Sequence, residues 1–190
     1  MCFCVSLCFA QGFDKIVESE VSDFDLAKME NNELRLFKNK ISDKRLLERI
    51  KIFESRNEKA APLKFGNEII GLWHASPIMP DTWVDRFLIY PGNKMEFLVD
   101  YFVENPEVKE YLGRYQVRGN VLIFTVERLQ KKDRLLSLKN PLVFKFPITN
   151  VFEEKFAGGN LVRQTIQIGS LKYYLYDDDP LTIGAKARQY

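Results

Sequence analysis

The stretch RFLIYPGNKMEFLVDYFVE, residues 86–104, decides the fold. In its second half Met95, Phe97, Val99, Tyr101 and Val103 alternate with Lys94, Glu96, Asp100 and Glu104. Successive side chains of a β-strand point to opposite faces, so this period of two marks a strand with one buried face and one wet face. The first half is a second apolar run, and Pro91-Gly92-Asn93 between them supplies turn residues. Two such runs joined by so short a connection make an antiparallel hairpin, the start of a larger sheet.

Outward from this hairpin, the sequence from Glu68 onward predicts eight strands, near 68–74, 82–90, 94–104, 111–117, 121–129, 142–149, 161–168 and 171–176. Gly119-Asn120, Ala157-Gly158-Gly159-Asn160 and Gly169-Ser170 are further short connections that permit positive φ, and Lys131-Lys132-Asp133 reads as an exposed hairpin tip. No helical pattern separates these runs, which excludes a parallel sheet with crossover helices. Eight consecutive hairpin-linked strands make a meander that can close on itself and so remove its edges.

Residues 13–61 have a different composition, with acids and bases balanced at eleven each among scattered apolar residues. Ser22 and Asp25 have capping-box spacing, and Leu26, Met29, Leu36 and Phe37 follow a rough helical stripe. Ser42 can cap a further helix in which Leu46, Leu47, Ile50 and Phe53 share a side opposite Lys44, Arg45, Glu48, Arg49 and Glu54. Asn31-Asn32 and Asn39 are candidate breaks, and Pro62 ends the region. The expected role of the stripe is to pack on the sheet or cap its open end; the sharper alternative is a helix that binds a protein partner. The predicted organisation is therefore a leader over 1–10, a charged helical segment over 11–62 and a barrel domain over 63–190. The fold class is mainly β, or α+β overall: an N-terminal helical segment and an eight-stranded antiparallel up-and-down barrel.

A net charge of +2 over 190 residues gives no reason to expect a nucleic-acid partner, whose footprint would be a concentrated basic face. Cys2, Cys4 and Cys8 all lie in the first eight residues, so the barrel has no thiol with which to build a disulfide framework. Met1 to Ala10 carry no charge and are almost wholly apolar, and Cys8-Phe9-Ala10 before Gln11 resembles the small-residue end of a signal peptide. Export to a periplasm or cell surface is the resulting expectation, either by cleavage near Ala10 or by lipidation of Cys8 after Val5-Ser6-Leu7; the alternative is a frayed apolar N-terminus of a cytosolic protein. No apolar run elsewhere reaches the ~20 residues of a spanning helix, so membrane association is expected only through the leader or a lipidated Cys8.

Three segments together resemble the lipocalin-like proteins of the calycin group in bacterial envelopes. They are Gly71-Leu72-Trp73 on the first strand, residues 86–93 at the first hairpin, and Gly113-Arg114-Tyr115 leading to Gly119-Asn120. The resemblance covers about residues 68–176 and implies a barrel with Trp73 near one closed end. It also implies a basic residue across Trp73, for which the tail offers Lys186 and Arg188, and a small hydrophobic ligand in the interior. It differs from the family in the short tail 181–190, which shows no helix after the last strand.

Trp73, Phe97, Tyr101, Tyr115 and Phe144 are the candidate ligand-binding residues, because Phe97 and Tyr101 share one strand face and the others lie on neighbouring runs. An eight-stranded barrel either fills with side chains or holds one small molecule, and large aromatics serve both outcomes. Chemistry is otherwise sparse. His74 is the only histidine; it follows Trp73 and so belongs on the opposite face, where a solvent-facing or hydrogen-bonded ring is expected rather than a catalytic one. One histidine and no cysteine beyond residue 8 make no zinc or copper site, and Asp177-Asp178-Asp179-Pro180 reads as a solvated turn rather than a calcium loop. Lys131, Lys132 and Arg134 near Arg128 read as a soluble loop. The expected function is a non-enzymatic binder of a small hydrophobic molecule, without a cofactor. The alternative is a structural or protein-interaction protein with a filled barrel.

Overall fold

Ser22 and Asp25 cap each other at the head of α1 (Asp23–Lys28): the Ser22 hydroxyl accepts from the Asp25 amide at 3.2 Å, and the Asp25 carboxylate accepts from the Ser22 amide at 2.9 Å. This reciprocal cap satisfies amides that a helix start leaves without partners. The structure is a computed structural model that describes residues 18, 21–56, 58–61, 69–77, 85–99, 108–156 and 161–177. The chain turns out of α1 at Met29, before Asn31-Asn32, and those two asparagines open α2 (Asn31–Lys38) instead of breaking a helix. Asn39 ends α2 as the sequence indicated.

α3 (Lys44–Glu54) is capped by Asp43, whose carboxylate accepts from the Leu46 amide at 2.7 Å. The expected cap, Ser42, instead donates its amide and hydroxyl to Glu18, because the helix begins at Lys44 and so makes Asp43 its N-cap. The two backbone donors of Ser42 and Asp43 hold the Glu18 carboxyl below its ordinary range. Leu26, Met29, Phe37, Leu46, Ile50 and Phe53 are buried, as the stripe requires. Leu36 is not: it is 60% exposed, and Leu34, one turn from Phe37 on the inward side, takes its place.

Eight antiparallel strands follow in chain order and close into a barrel: β1 (Gly71–His74), β2 (Arg86–Tyr90), β3 (Lys94–Leu98), β4 (Glu110–Arg118), β5 (Val121–Lys131), β6 (Arg134–Phe156), β7 (Leu161–Ile168) and β8 (Leu171–Asp177). Each pairs with the next, and β1 pairs with β8, so every strand has two neighbours and the sheet closes on itself, although β6 pairs with β7 only from Ile148 onward. Gly119 and Gly169 sit in two-residue turns with φ of 57° and 63°, which L side chains adopt reluctantly. The end of the expected third strand, the glycine turn at 157–160, Pro62 and the tail with Lys186 and Arg188 lie outside the described residues.

β6 is far longer than the expected run 142–149. Its first part pairs with β5 across the Lys132-Asp133 turn, as Lys131↔Arg134 to Arg128↔Ser137, and its last part pairs with β7 as far as Phe156↔Leu161. Between the pairs Val126↔Leu142 and Arg128↔Ser137, β6 carries residues 138–141 against Glu127 alone. Pro141 falls inside this bulge, where no ladder hydrogen bond is needed from it. A second irregularity, at Leu112/Gly113, brings β4 so close to β5 that a Cβ on Gly113 would stand 1.9 Å from the Thr125 carbonyl oxygen.

One apolar core joins helices and barrel: Leu26, Leu34, Phe37, Ile50 and Phe53 belong to the same buried cluster as Trp73, Phe87, Phe97, Phe124 and Phe144. Asp23 fastens the joint. Its carboxylate accepts from Arg49 at 2.7 Å, from the Ser170 amide at 2.8 Å and from the Ser170 hydroxyl at 2.7 Å, tying α1 to α3 and to the β7–β8 turn. Arg49 also donates to the Val21 carbonyl at 2.8 Å.

Candidate functional site

Alternation along each strand sends Trp73, Phe87, Ile89, Met95, Phe97, Phe124, Phe144 and Phe146 into the barrel, and all of them are buried. The rings meet: Phe87 lies 4.6 Å from Phe97 and 4.7 Å from Tyr173, and Phe144 packs beside Phe124 at 6.2 Å. The Trp73 indole N–H donates to the Ile69 carbonyl at 2.8 Å, so its polar handle is satisfied and its ring is fixed.

Into this aromatic interior the helical segment inserts one more ring. Phe24, in the first turn of α1, stacks on Phe97 at 4.2 Å and 20° and sits 4.3 Å from Phe144, 4.9 Å from Tyr111 and 5.3 Å from Phe146. Phe24 is half-buried, which places it at the rim of the barrel with the core rings beneath it. The Lys28 ammonium lies 5.5 Å from the centre of the Phe144 ring on the same side.

Of the predicted ligand-binding residues, the structure therefore brings Phe97 and Phe144 together around Phe24, with Trp73 facing Phe87 across the β1–β2 pair. Tyr115 packs against the same core further along β4, half-buried, with burial pushing its hydroxyl pKa up. Tyr101 lies outside the described residues. The sequence reading missed Phe24 because the stripe was traced through Leu26 and Met29. The usable signal was density: Phe24, Leu26 and Ala27 put apolar side chains on more than one side of a six-residue helix, which means burial on more than one side.

His74 faces away from Trp73, as alternation requires, but it is neither solvent-facing nor hydrogen-bonded to any described residue. It is 1% exposed, and neither ring nitrogen has a hydrogen-bond partner among the described residues. The outer face of the barrel is covered here: Leu72 and Leu88 are buried with Tyr90, Leu98 and Tyr176 against them, and the Tyr176 ring centre is 5.0 Å from the imidazole. The Arg163 guanidinium lies over the other part of this group, 4.0 Å from the Tyr176 ring centre. Burial first, and the charge of neighbouring Arg86 second, push the His74 pKa down to about 4.

On the helix side, Arg56 donates to the carbonyls of Met29 and, at 2.9 Å, Lys145. Lys145 lies 3.3 Å from Glu30 and 3.4 Å from Glu58, beside an open polar depression of about 360 Å³. These contacts use the charges to seat the helices on β6. Among the described residues no cluster of three metal-ligating side chains occurs, and no helix is long and apolar enough to cross a membrane. No protein-family model, curated protein or solved structure matches the chain.

Proposed function

We propose that this chain is a non-catalytic, lipocalin-like barrel whose interior is filled by its own side chains and which acts through its outer surface. The observation that carries this reading is the seat of Phe24. A helix of the same chain supplies the ring that would otherwise be a guest between Phe97 and Phe144. A carrier needs an apolar pocket that a ligand can enter, commonly ~300 Å³ or more. Here the four rings around Phe24 are already in van der Waals contact with a covalently attached occupant. The barrel, the inward Trp73 and its bonded indole support the calycin-like part of the proposal. Work at the cell envelope belongs to it through the apolar first ten residues.

Titration with fatty acids and haem, read by Trp fluorescence, tests it. The full chain is expected to give no saturable shift, whereas Phe24→Ala, which vacates the seat, gains binding of a small aromatic probe. A saturable shift in the unaltered chain would replace the filled barrel with a ligand carrier whose plug withdraws. Mass spectrometry of the mature N-terminus tests export, with cleavage near Ala10 or acylated Cys8 expected and an intact Met1 on cytosolic protein overturning it.

A further inference from the structure

We propose that the arm formed by the β5–β6 hairpin docks the protein on an anionic membrane surface. Residues 128–143 carry five cations, Arg128, Lys131, Lys132, Arg134 and Lys139, against one acid, Asp133. The whole chain is only +2, so the charge outside the arm sums to a small negative value and the positive excess is local to this hairpin. The same arm displays Leu135, Leu136, Leu142 and Val143, which are 51%, 41%, 37% and 43% exposed. Leu135 and Leu136 are consecutive in a strand and point to opposite faces, yet both are exposed. Leu129 anchors the base of the arm in the core, so it is the tip, residues 132–137, that is exposed on both faces. Beside its tip an open notch of about 510 Å³ is lined by Lys131, Lys132, Asp133, Arg134 and Leu136.

Exposed aliphatics clustered with cations point to one kind of occupant. Nucleic acid would use the cations, but it gains nothing from four aliphatic side chains, whereas a membrane interface uses both. Its anionic headgroups attract lysine and arginine while leucines settle at the headgroup–acyl boundary. Membrane contact is thus placed in the folded domain as well as in the leader to which the sequence confined it. The inference rests on the outer-surface reading above. Its readout is separate, because ligand titration interrogates the interior and vesicle binding interrogates the arm.

The test uses the full chain with vesicles of phosphatidylcholine alone and of phosphatidylcholine mixed with phosphatidylglycerol, by co-sedimentation at low and high salt. Binding is expected only to the anionic vesicles and is expected to weaken with salt. Lys132→Gln with Arg134→Gln lowers partitioning at least about tenfold, since each cation near such a surface contributes roughly fivefold. Leu135→Ser with Leu136→Ser also weakens it. All four sites are exposed, so both double variants are expected to keep the fold, which far-UV circular dichroism checks. Leu135→Trp adds a direct readout, an emission blue shift on anionic vesicles. No partitioning to anionic vesicles, partitioning insensitive to both double variants, or tighter binding to RNA or an acidic peptide that ignores the leucines would each overturn the proposal.

Discussion

His74 is a buried imidazole whose ring titrates at about 4 in the folded chain and near 6.5 when unfolded. Between those values the unfolded chain binds more protons than the folded one, so stability rises with pH from about 4 to 6.5 and this residue adds no slope above that window. Urea midpoints of His74→Phe, compared with the unaltered chain at pH 7.5 and pH 5, isolate the contribution. The variant is expected to lose less stability on acidification and to stay within about 1 kcal/mol at pH 7.5, because it removes two buried nitrogens that have no described partner. Equal acid sensitivity would refute it. Glycine geometry gives a second expectation at this scale. A Cβ on Gly113 meets the Thr125 backbone, which cannot swing aside as a side chain can, and overpacking of that kind costs about 3 kcal/mol or more. Gly169→Ala combines positive φ with contacts of 2.6 Å to Asp23 and 2.9 Å to Phe53, and so should loosen the helix joint as well as the turn. Thermal melts rank the two, with Gly113→Ala the more damaging; an unchanged melting temperature for Gly113→Ala would contradict the close approach of β4 and β5.

The connection between α1 and the β7–β8 turn depends on Asp23, which joins Arg49 and Ser170 through charge-assisted hydrogen bonds. Asp23→Ala leaves the half-buried Arg49 without that partner and is expected to cost about 2–3 kcal/mol. Hydrogen exchange should quicken in α1 and at Ser170 before it does in β4 and β5. If protection falls evenly across the sheet, the carboxylate is not a local latch. Phe24→Ala acts on the same element through packing. Because the ring is half-buried, the expected loss is about 2–3 kcal/mol, at the low end for a Phe→Ala change.

At the scale of the molecule, helices and barrel share one apolar cluster, so neither is expected to melt alone. In a Trp83→Phe chain, where Trp73 is the one remaining tryptophan, far-UV ellipticity, which reports helices and strands together, and Trp fluorescence, which reports the barrel through Trp73, should trace one coincident unfolding transition in urea. A helical phase that melts first, with the Trp73 signal unchanged, would mean that the segment only rests on the barrel.

The sequence by itself determined the alternation of Met95 and Phe97 against Lys94 and Glu96, the turn residues at Gly119 and Gly169, the cap at Ser22 and Asp25, and from these the eight-stranded antiparallel meander. These are local signals, because strand period, turn φ and capping geometry depend on residues within a few positions of each other. Only the tertiary structure decided what lay on each side of the sheet. Alternation sorted His74 from Trp73 correctly but could not tell that the outer face is covered, since burial there depends on Leu72, Leu88 and Tyr176 from separate strands. Nor could spacing reveal that Phe24 would stack on Phe97, more than seventy positions away, or that β6 would extend to twenty-three residues and carry Leu135 and Leu136 clear of the core. Those outcomes follow from barrel closure and from the joint at Asp23, which bring distant parts of the chain to one place and leave the tip of the arm exposed.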